Sequence, residues 1–378
     1  MNSGTRRPGA RAARRARGGR SGTPVPLLTI LLTCLSAPPR AAADHPAVSL
    51  GSGTSRAMNT ESAIPLGRGD WWLGVRSEYV RFREYSDARL LALRRRDPDA
   101  DLHSVESLLA TSLGLFYGVT DDVTVGLRLP YLRRSGIREP GHAAAEGAIS
   151  AAHTTGPGHA GQVGEVERLG EVDGLGDLGL FGQWRVLERR PWHLALLAGL
   201  DLPSGETSER ASNGERVETE FQPGSGAVRG SLGLAGTWVA GIVNVDASTV
   251  YAIAGDGSRD TNLGDVFAYG LALSHRIGAH EHGGPHHPGE AHDHNEGHLL
   301  GWDVFLELNG EWREREVAGG VRDGNSGGAL LWLSPGARLT VAGRVTLGVS
   351  VGIPIAEDLN GDQVKPSYRI VSSAGLVF

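Results

Sequence analysis

A histidine-rich segment at residues 280–298 is the part of the sequence whose residue types most directly suggest chemistry. It holds seven histidines within 19 residues, mixed with glutamate and aspartate. Imidazole suits Zn²⁺, Cu²⁺ and Ni²⁺, and neutral imidazole is available at pH 7 because its unperturbed pKa is about 6.5. The composition predicts a flexible metal-binding loop, and the alternative is a solvated linker that binds metal only weakly. The candidate ligands are His280, His282, His286, His287, His292, His294 and His298.

No enzyme motif accompanies this segment. The sequence has no nucleophile elbow, no H-E-x-x-H motif and no phosphate-binding loop. Its one cysteine, Cys34, lies within the first 43 residues, so the remaining chain offers neither a thiol for catalysis nor a disulfide. We therefore expect a protein that is not an enzyme and that requires no cofactor.

Residues 1–43 have the layout of a secretory signal peptide. An arginine-rich start is followed by the apolar stretch Pro26–Ala37 and by the small residues Ala41–Ala43, a typical cleavage site. The alternative is a basic tail that binds nucleic acid. Removing residues 1–43 takes away eight arginines and no acidic residue, so the formal net charge falls from −6 to −14. That charge argues against a nucleic-acid partner.

The elements that would carry these residues are β-strands. In Val345–Ile355 every odd position is a large aliphatic residue, and every even position is Thr, Gly, Ser or Pro. Because side chains alternate between the two faces of a strand, this two-residue period places the large side chains on one face. With 56 glycines and no apolar run of 18 residues, the composition favours many strands over membrane helices. The predicted strands are about 70–82, 108–119, 123–133, 175–187, 192–202, 226–239, 242–253, 265–277, 301–314, 328–341, 345–355 and 368–378.

Twelve such strands predict an all-β fold, a transmembrane antiparallel up-and-down β-barrel over residues 70–378. Residues 44–69 are expected to be a periplasmic lead-in, residues 86–96 a loop helix, and residues 135–174 a long loop. Aromatic residues such as Trp71, Trp192 and Trp302 fall near strand ends, as in membrane-interface girdles. A soluble two-sheet sandwich is the alternative, because its strands would also alternate.

Polar residues that alternate with the apolar face are expected to face the lumen. Water would solvate them there, whereas an arginine at the middle of the lipid face would cost roughly 2–4 kcal/mol. They either form a polar pathway for solutes or pair across a lumen that conducts nothing. The candidates are Arg76, Glu78, Arg128, Asp177, Gln183, Arg185, Asp201, Asp246, Asp303, Glu307, Glu311 and Arg338.

Turn and strand-end motifs carry a family resemblance. They are Tyr117–Tyr131, Asp173–Leu180, Gly199–Gly205 and Gln222–Gly226. Together they resemble the outer-membrane transporters grouped as the "MetA-pathway of phenol degradation" family, over roughly residues 70–378. The resemblance implies passage of small, often aromatic or hydrophobic, molecules. The histidine-rich insert departs from the family pattern.

The sequence thus predicts an outer-membrane channel or transporter of a Gram-negative bacterium, with lipid and a small solute as its partners. The alternative function is metal handling, in which residues 280–298 bind Zn²⁺, Cu²⁺ or Ni²⁺ and the barrel is an anchor.

Overall fold

The computed structural model describes, apart from Met1, residues 55–141, 164–277 and 300–378. Two short 3₁₀ helices, Thr219–Phe221 and Ser258–Asp260, lie between its main elements. In chain order these elements are β1 (Trp71–Phe82), α1 (Asp87–Arg96), β2 (Ser107–Thr120), β3 (Val123–Pro140), β4 (Val166–Leu175), β5 (Leu178–Arg189), β6 (Trp192–Leu202), β7 (Arg229–Ala240), β8 (Val243–Ala254), β9 (Thr261–Asn262), β10 (Val266–Ile277), β11 (Leu300–Arg313), β12 (Val317–Ala318), β13 (Val321–Arg322), β14 (Gly328–Val341), β15 (Val345–Leu359) and β16 (Pro366–Val377).

Twelve of the strands close into one antiparallel barrel. β1 pairs with β2 on one side and with the last long strand, β16, on the other, where Val75 lies opposite Ala374. The wall then continues through β15, β14, β11, β10, β8, β7, β6 and β5 to β3, which pairs with β2. The closed sheet confirms the predicted barrel. It also rules out the sandwich, whose sheets would keep open edges.

The two ends of the barrel differ in their connections. The turns 121–122, 190–191, 241–242 and 342–344 lie at one end, which we call the turn end. The chain enters β1 and leaves β16 at this end, and β10 and β11 also meet there. Apart from residues 278–299, which join β10 to β11, the longer connections lie at the other end, which we call the loop end. Bacterial outer-membrane barrels show the same contrast between short periplasmic turns and long outer loops.

The outer surface of the barrel is an apolar belt. Mid-strand residues such as Leu127, Leu196, Leu306 and Val349 are each 41–49% exposed, while their strand neighbours point inward. In water so large an apolar surface would be unfavourable, whereas in a bilayer it meets acyl chains. None of the helices among the described residues is long and apolar enough to cross a membrane.

Aromatic side chains flank the belt at both rims. At the turn end the rings of Trp71 and Tyr117 lie 4.6 Å apart. At the loop end the rings of Tyr79 and Tyr368 lie 6.3 Å apart. Amphipathic rings favour the membrane–water interface, so the two rims agree with the expected girdles.

The loop end is more ordered than the sequence indicates. The predicted loop helix is present as α1, with Leu90 and Leu93 buried. The predicted loop at 135–174 is wrong in part, because β3 runs on to Pro140 and pairs there with β4. β4 and β5 pair one after the other with β3, both antiparallel to it, and are separated by residues 176–177. β4 is rich in charged residues, so no apolar alternation marks it as a strand.

Leu306→Arg should destabilise the barrel by about 2–4 kcal/mol, because it places a charge at the middle of the apolar belt. Urea unfolding in lipid vesicles measures the free energy of unfolding. Val321→Arg is the control, since Val321 is 58% exposed in β13 at the loop end. Equal stability of the two variants would contradict a lipid-facing belt.

Candidate functional site

The lumen is occupied by the segment that precedes the first strand. Residues 55–66, which we call the plug, are buried along most of their length. The plug enters near the turn end, where Arg56 Nη1 donates to the Ile242 carbonyl at 3.4 Å. It returns to the turn end at Leu66, whose amide donates to Thr124 Oγ1 at 2.9 Å. For these residues the expected periplasmic lead-in is wrong, because their polar groups bond to side chains inside the barrel.

The tip of the plug is bound by one buried carboxylate. Glu307, in the middle of β11, is fully buried. Its Oε1 accepts hydrogen bonds from the amides of Asn59 at 2.9 Å and Thr60 at 3.0 Å. Its Oε2 accepts a third from Asn59 Nδ2 at 2.8 Å. On the other side of the tip, Arg76 Nη2 donates to Asn59 Oδ1 at 2.8 Å.

The first arm of the plug is held by charged groups near the turn end. The guanidinium of Arg338 donates to the carbonyls of Ser55 and Ala57. Arg56 Nε lies 3.7 Å from Asp303 Oδ1. Asp303 is itself bound in bidentate fashion by Arg276, at 2.8 and 3.0 Å. This arm therefore joins an ion-pair network that belongs to the barrel wall.

The return arm is held by neutral groups. Thr237 Oγ1 accepts the Ala63 amide at 2.8 Å, lies 3.1 Å from Ser62 Oγ and donates to Asp246 Oδ1 at 2.6 Å. Gln183 Nε2 donates to the Ser62 carbonyl at 2.8 Å. The plug thus contacts strands on opposite sides of the lumen, which fixes it across the barrel.

Apolar contacts complete the packing of the plug. Ala57 and Met58 join a buried cluster with Ala272, Phe305 and Val371. Gly348 leaves room for Met58, since a Cβ at this position would lie 2.6 Å from the thioether sulfur. The return arm packs on a second cluster that contains Ala63, Leu66, Trp72, Phe116 and Phe181.

Some charges of the wall are paired with each other. Glu78 lies 3.0 Å from Arg76 and 3.7 Å from Arg369, both measured between nitrogen and oxygen. The Arg369 guanidinium also lies 4.7 Å above the ring of Trp332. Such pairs satisfy charges that would otherwise be costly inside the barrel.

A cavity of about 130 Å³ lies between the plug and the loop end. Arg76, which binds the plug, lines one side of it. Residues 203–228 cover the other side, and we call them the cap loop. Arg134 holds the cap loop through the carbonyls of Phe221 at 3.1 Å and Gln222 at 3.3 Å. Asp177 holds it as well, accepting the amides of Gly205 and Ser225 at 2.9 Å.

The lining of the cavity combines positive charge with apolar surface. The cavity is lined by four arginines and by three acidic residues. One acid, Asp201, lies 3.9 Å from Arg128, and another, Asp177, is bound to the cap loop. The arginines are Arg76, Arg128, Arg134 and Arg229, and the apolar residues are Ala110, Pro130, Leu132, Pro223, Ala252 and Leu263.

The predicted lumen residues fall into three groups by their contacts. Six contact the plug or, in the case of Asp246, the threonine that binds it, namely Arg76, Gln183, Asp246, Asp303, Glu307 and Arg338. Three others line the cavity, namely Arg128, Asp177 and Asp201. The last three pair within the wall or its turns, namely Glu78, Arg185 and Glu311. Their roles in solute passage stay predictions.

Two other predicted features lie outside the described residues. These are the signal peptide at 1–43 and the histidine-rich segment at 280–298. The plug was missed from the sequence because it carries no periodicity. The only signal is a run of small and polar residues before the first strand.

Comparison with known proteins gives the fold. No protein-family model and no curated protein matches the sequence. An outer membrane channel from Pseudomonas putida F1 is similar in structure, with a TM-score of 0.52 and 16% identity over 85% of this chain and all of that one. The P. putida toluene transporter TodX aligns with a TM-score of 0.44 and 11% identity, over 88% of this chain and 99% of that one. The first likeness shows a shared barrel fold.

Glu307→Ala should release the plug. Each hydrogen bond to the carboxylate is worth about 1.5–3 kcal/mol, so the opened population should rise by at least about tenfold. Ser62→Cys, at a position that is 2% exposed, provides a maleimide-accessible reporter of opening in both backgrounds.

Glu311→Ala is the matched control for this experiment. Glu311 belongs to the same strand but pairs with Arg313 at 2.9 Å, away from the plug. Labelling of Ser62→Cys should be slow in the parent and in the control, and fast with Glu307→Ala. Equal labelling rates in all three would contradict the role given to Glu307.

Proposed function

We infer that this chain is an outer-membrane channel for a small solute, without a catalytic role, and that the plug controls passage. The observation that carries this function is a polar lumen, enclosed by an apolar belt, whose occupant is held by side chains of the wall. Residues 55–66 form no strand, so the plug can move without breaking a β-ladder of the barrel.

The cavity favours a particular kind of solute. Arginine side chains bind carboxylate or phenolate oxygens, and the apolar residues beside them suit a ring. The family resemblance implies small aromatic or hydrophobic molecules. A small aromatic anion matches the arginines and apolar residues that line the cavity, and it also fits the class of solute that the family resemblance implies.

The channel should pass benzoate faster when the plug is removed. Liposomes that contain the chain without residues 55–66 should take up radiolabelled benzoate several-fold faster than liposomes with the mature chain. Benzylammonium, which has a similar ring and the opposite charge, should enter more slowly than benzoate because of the four arginines.

Deletion of residues 44–54 is the control, because it shortens the same terminus and leaves the plug in place. Uptake equal to that of empty liposomes in every variant would overturn the channel function. A faster uptake of benzylammonium would overturn the proposed anion preference alone.

Metal handling by residues 280–298 is the second candidate, favoured by the seven histidines in this segment. The segment connects β10 and β11 at the turn end, the side on which periplasmic turns are expected. Calorimetric titration of the refolded barrel with Zn²⁺ or Cu²⁺ should show submicromolar binding that disappears when residues 280–298 are deleted. Binding that is unchanged by the deletion would count against this loop as the metal site.

A further inference from the structure

One of the four arginines that line the cavity between the plug and the loop end differs from the others. Arg229 is the first residue of β7 and lines this cavity. Its guanidinium makes no hydrogen bond or ion pair in the part of the chain that the structure describes. A guanidinium carries five N–H donors and no acceptor, so a ligand that brings acceptor oxygens into the cavity can bind here.

The other three arginines of the lining are already bound to the protein. Arg76 donates to the tip of the plug at 2.8 Å. Arg134 donates to two carbonyls of the cap loop, at 3.1 and 3.3 Å. Arg128 Nη2 lies 3.9 Å from Asp201 Oδ1. A solute can therefore bind to Arg229 without displacing an existing contact, which is not true of the other three.

The acid that faces Arg229 in the sheet pairs with another arginine. Asp201 lies opposite Arg229 in the register of β6 and β7. On its other side Asp201 is opposite Gly179 of β5, which is in turn opposite Arg128 of β3. A Cβ at Gly179 would lie 2.9 Å from Asp201 Oδ1. Because this glycine has no side chain, Asp201 and Arg128 can approach each other across β5.

The other charges near Arg229 are also engaged elsewhere. The acids Asp177 and Glu311 attract its guanidinium from a distance, and Arg313 repels it. Asp177 accepts two amides of the cap loop at 2.9 Å, and Glu311 pairs with Arg313 at 2.9 Å. These acids offset part of the charge of Arg229, but they accept none of its N–H groups. Arg229 therefore lacks a hydrogen-bond acceptor rather than a nearby negative charge.

The surroundings of Arg229 suit an aromatic ring that carries a polar group. The cavity measures about 130 Å³, close to the volume of about 150 Å³ at which a protein cavity holds benzene. Pro130, Leu132 and Leu263 give it apolar surface. Ser231 also lines it, two residues after Arg229 on the same face of β7, and its hydroxyl can donate a further hydrogen bond.

We propose that Arg229 is the residue that binds the solute in this cavity, and that it selects an aromatic carboxylate over a phenol. This inference rests on the proposed function, in which the cavity receives a small aromatic solute. A carboxylate offers two oxygens to the planar guanidinium fork, whereas a phenol offers one. A simple phenol is also uncharged at pH 7, since the pKa of a phenolic hydroxyl is about 10. The Ser231 hydroxyl donates to the same carboxylate.

Equilibrium dialysis of radiolabelled benzoate and phenol against the mature chain in detergent measures binding without passage through the barrel. At pH 7 the parent should bind benzoate at least about tenfold more tightly than phenol. Arg229→Gln should weaken benzoate binding by at least about tenfold and leave phenol binding unchanged. Arg229→Lys keeps the charge without the fork, so its benzoate affinity should lie between the two. Far-UV circular dichroism shows whether each variant keeps the barrel.

Arg185→Gln is the matched control, because the Arg185 side chain is only 11% exposed and pairs with Asp122 at 2.8 Å near the turn end. It should bind both ligands as the parent does. Equal benzoate binding by the parent and Arg229→Gln would overturn the inference, as would phenol binding as tight as that of benzoate. Benzoate binding that depends on Arg229, together with uptake equal to that of empty liposomes, would support this site and overturn the channel function.

Discussion

The structure depends on the need of every backbone amide and carbonyl for a hydrogen-bond partner where no water is present. In a bilayer, strands meet this need only by closing on themselves. The pairing of β1 with β16 completes the closure and brings the start of the first wall strand beside the end of the last. Closure also turns every second side chain of each strand into one shared interior. The residues of the wall therefore determine which chemical groups face the lumen.

The interior of this barrel is charged, and each charge must be compensated. Within the wall, Arg369 and Glu78 compensate each other. The charge of Glu307 is compensated differently, because its two carboxylate oxygens accept three hydrogen bonds from the plug. Because the hydrogen-bond donors to Glu307 belong to the plug, the charge of this wall residue is satisfied by the plug in its observed position. The plug is thus both an occupant of the lumen and part of its electrostatics.

The sequence predicts the twelve wall strands because each must show period two against lipid, a constraint that acts on every residue locally. It does not predict the plug, since Asn59 and Glu307 are 248 positions apart and no periodicity marks their meeting. The strand β4 is not predicted either, because its charged residues interrupt any apolar alternation.

The same charges that hold the plug set the condition for its release. If the plug leaves, Glu307 and Arg338 lose their partners in a confined space, which is unfavourable unless water or a solute replaces the lost hydrogen bonds. Arg76 binds the plug and also lines the cavity, so a ligand in the cavity can reach a group that holds the plug. An anion that draws Arg76 away from Asn59 weakens one side of the tip while Glu307 keeps the other. In the proposed function, binding in the cavity therefore acts on the plug through Arg76.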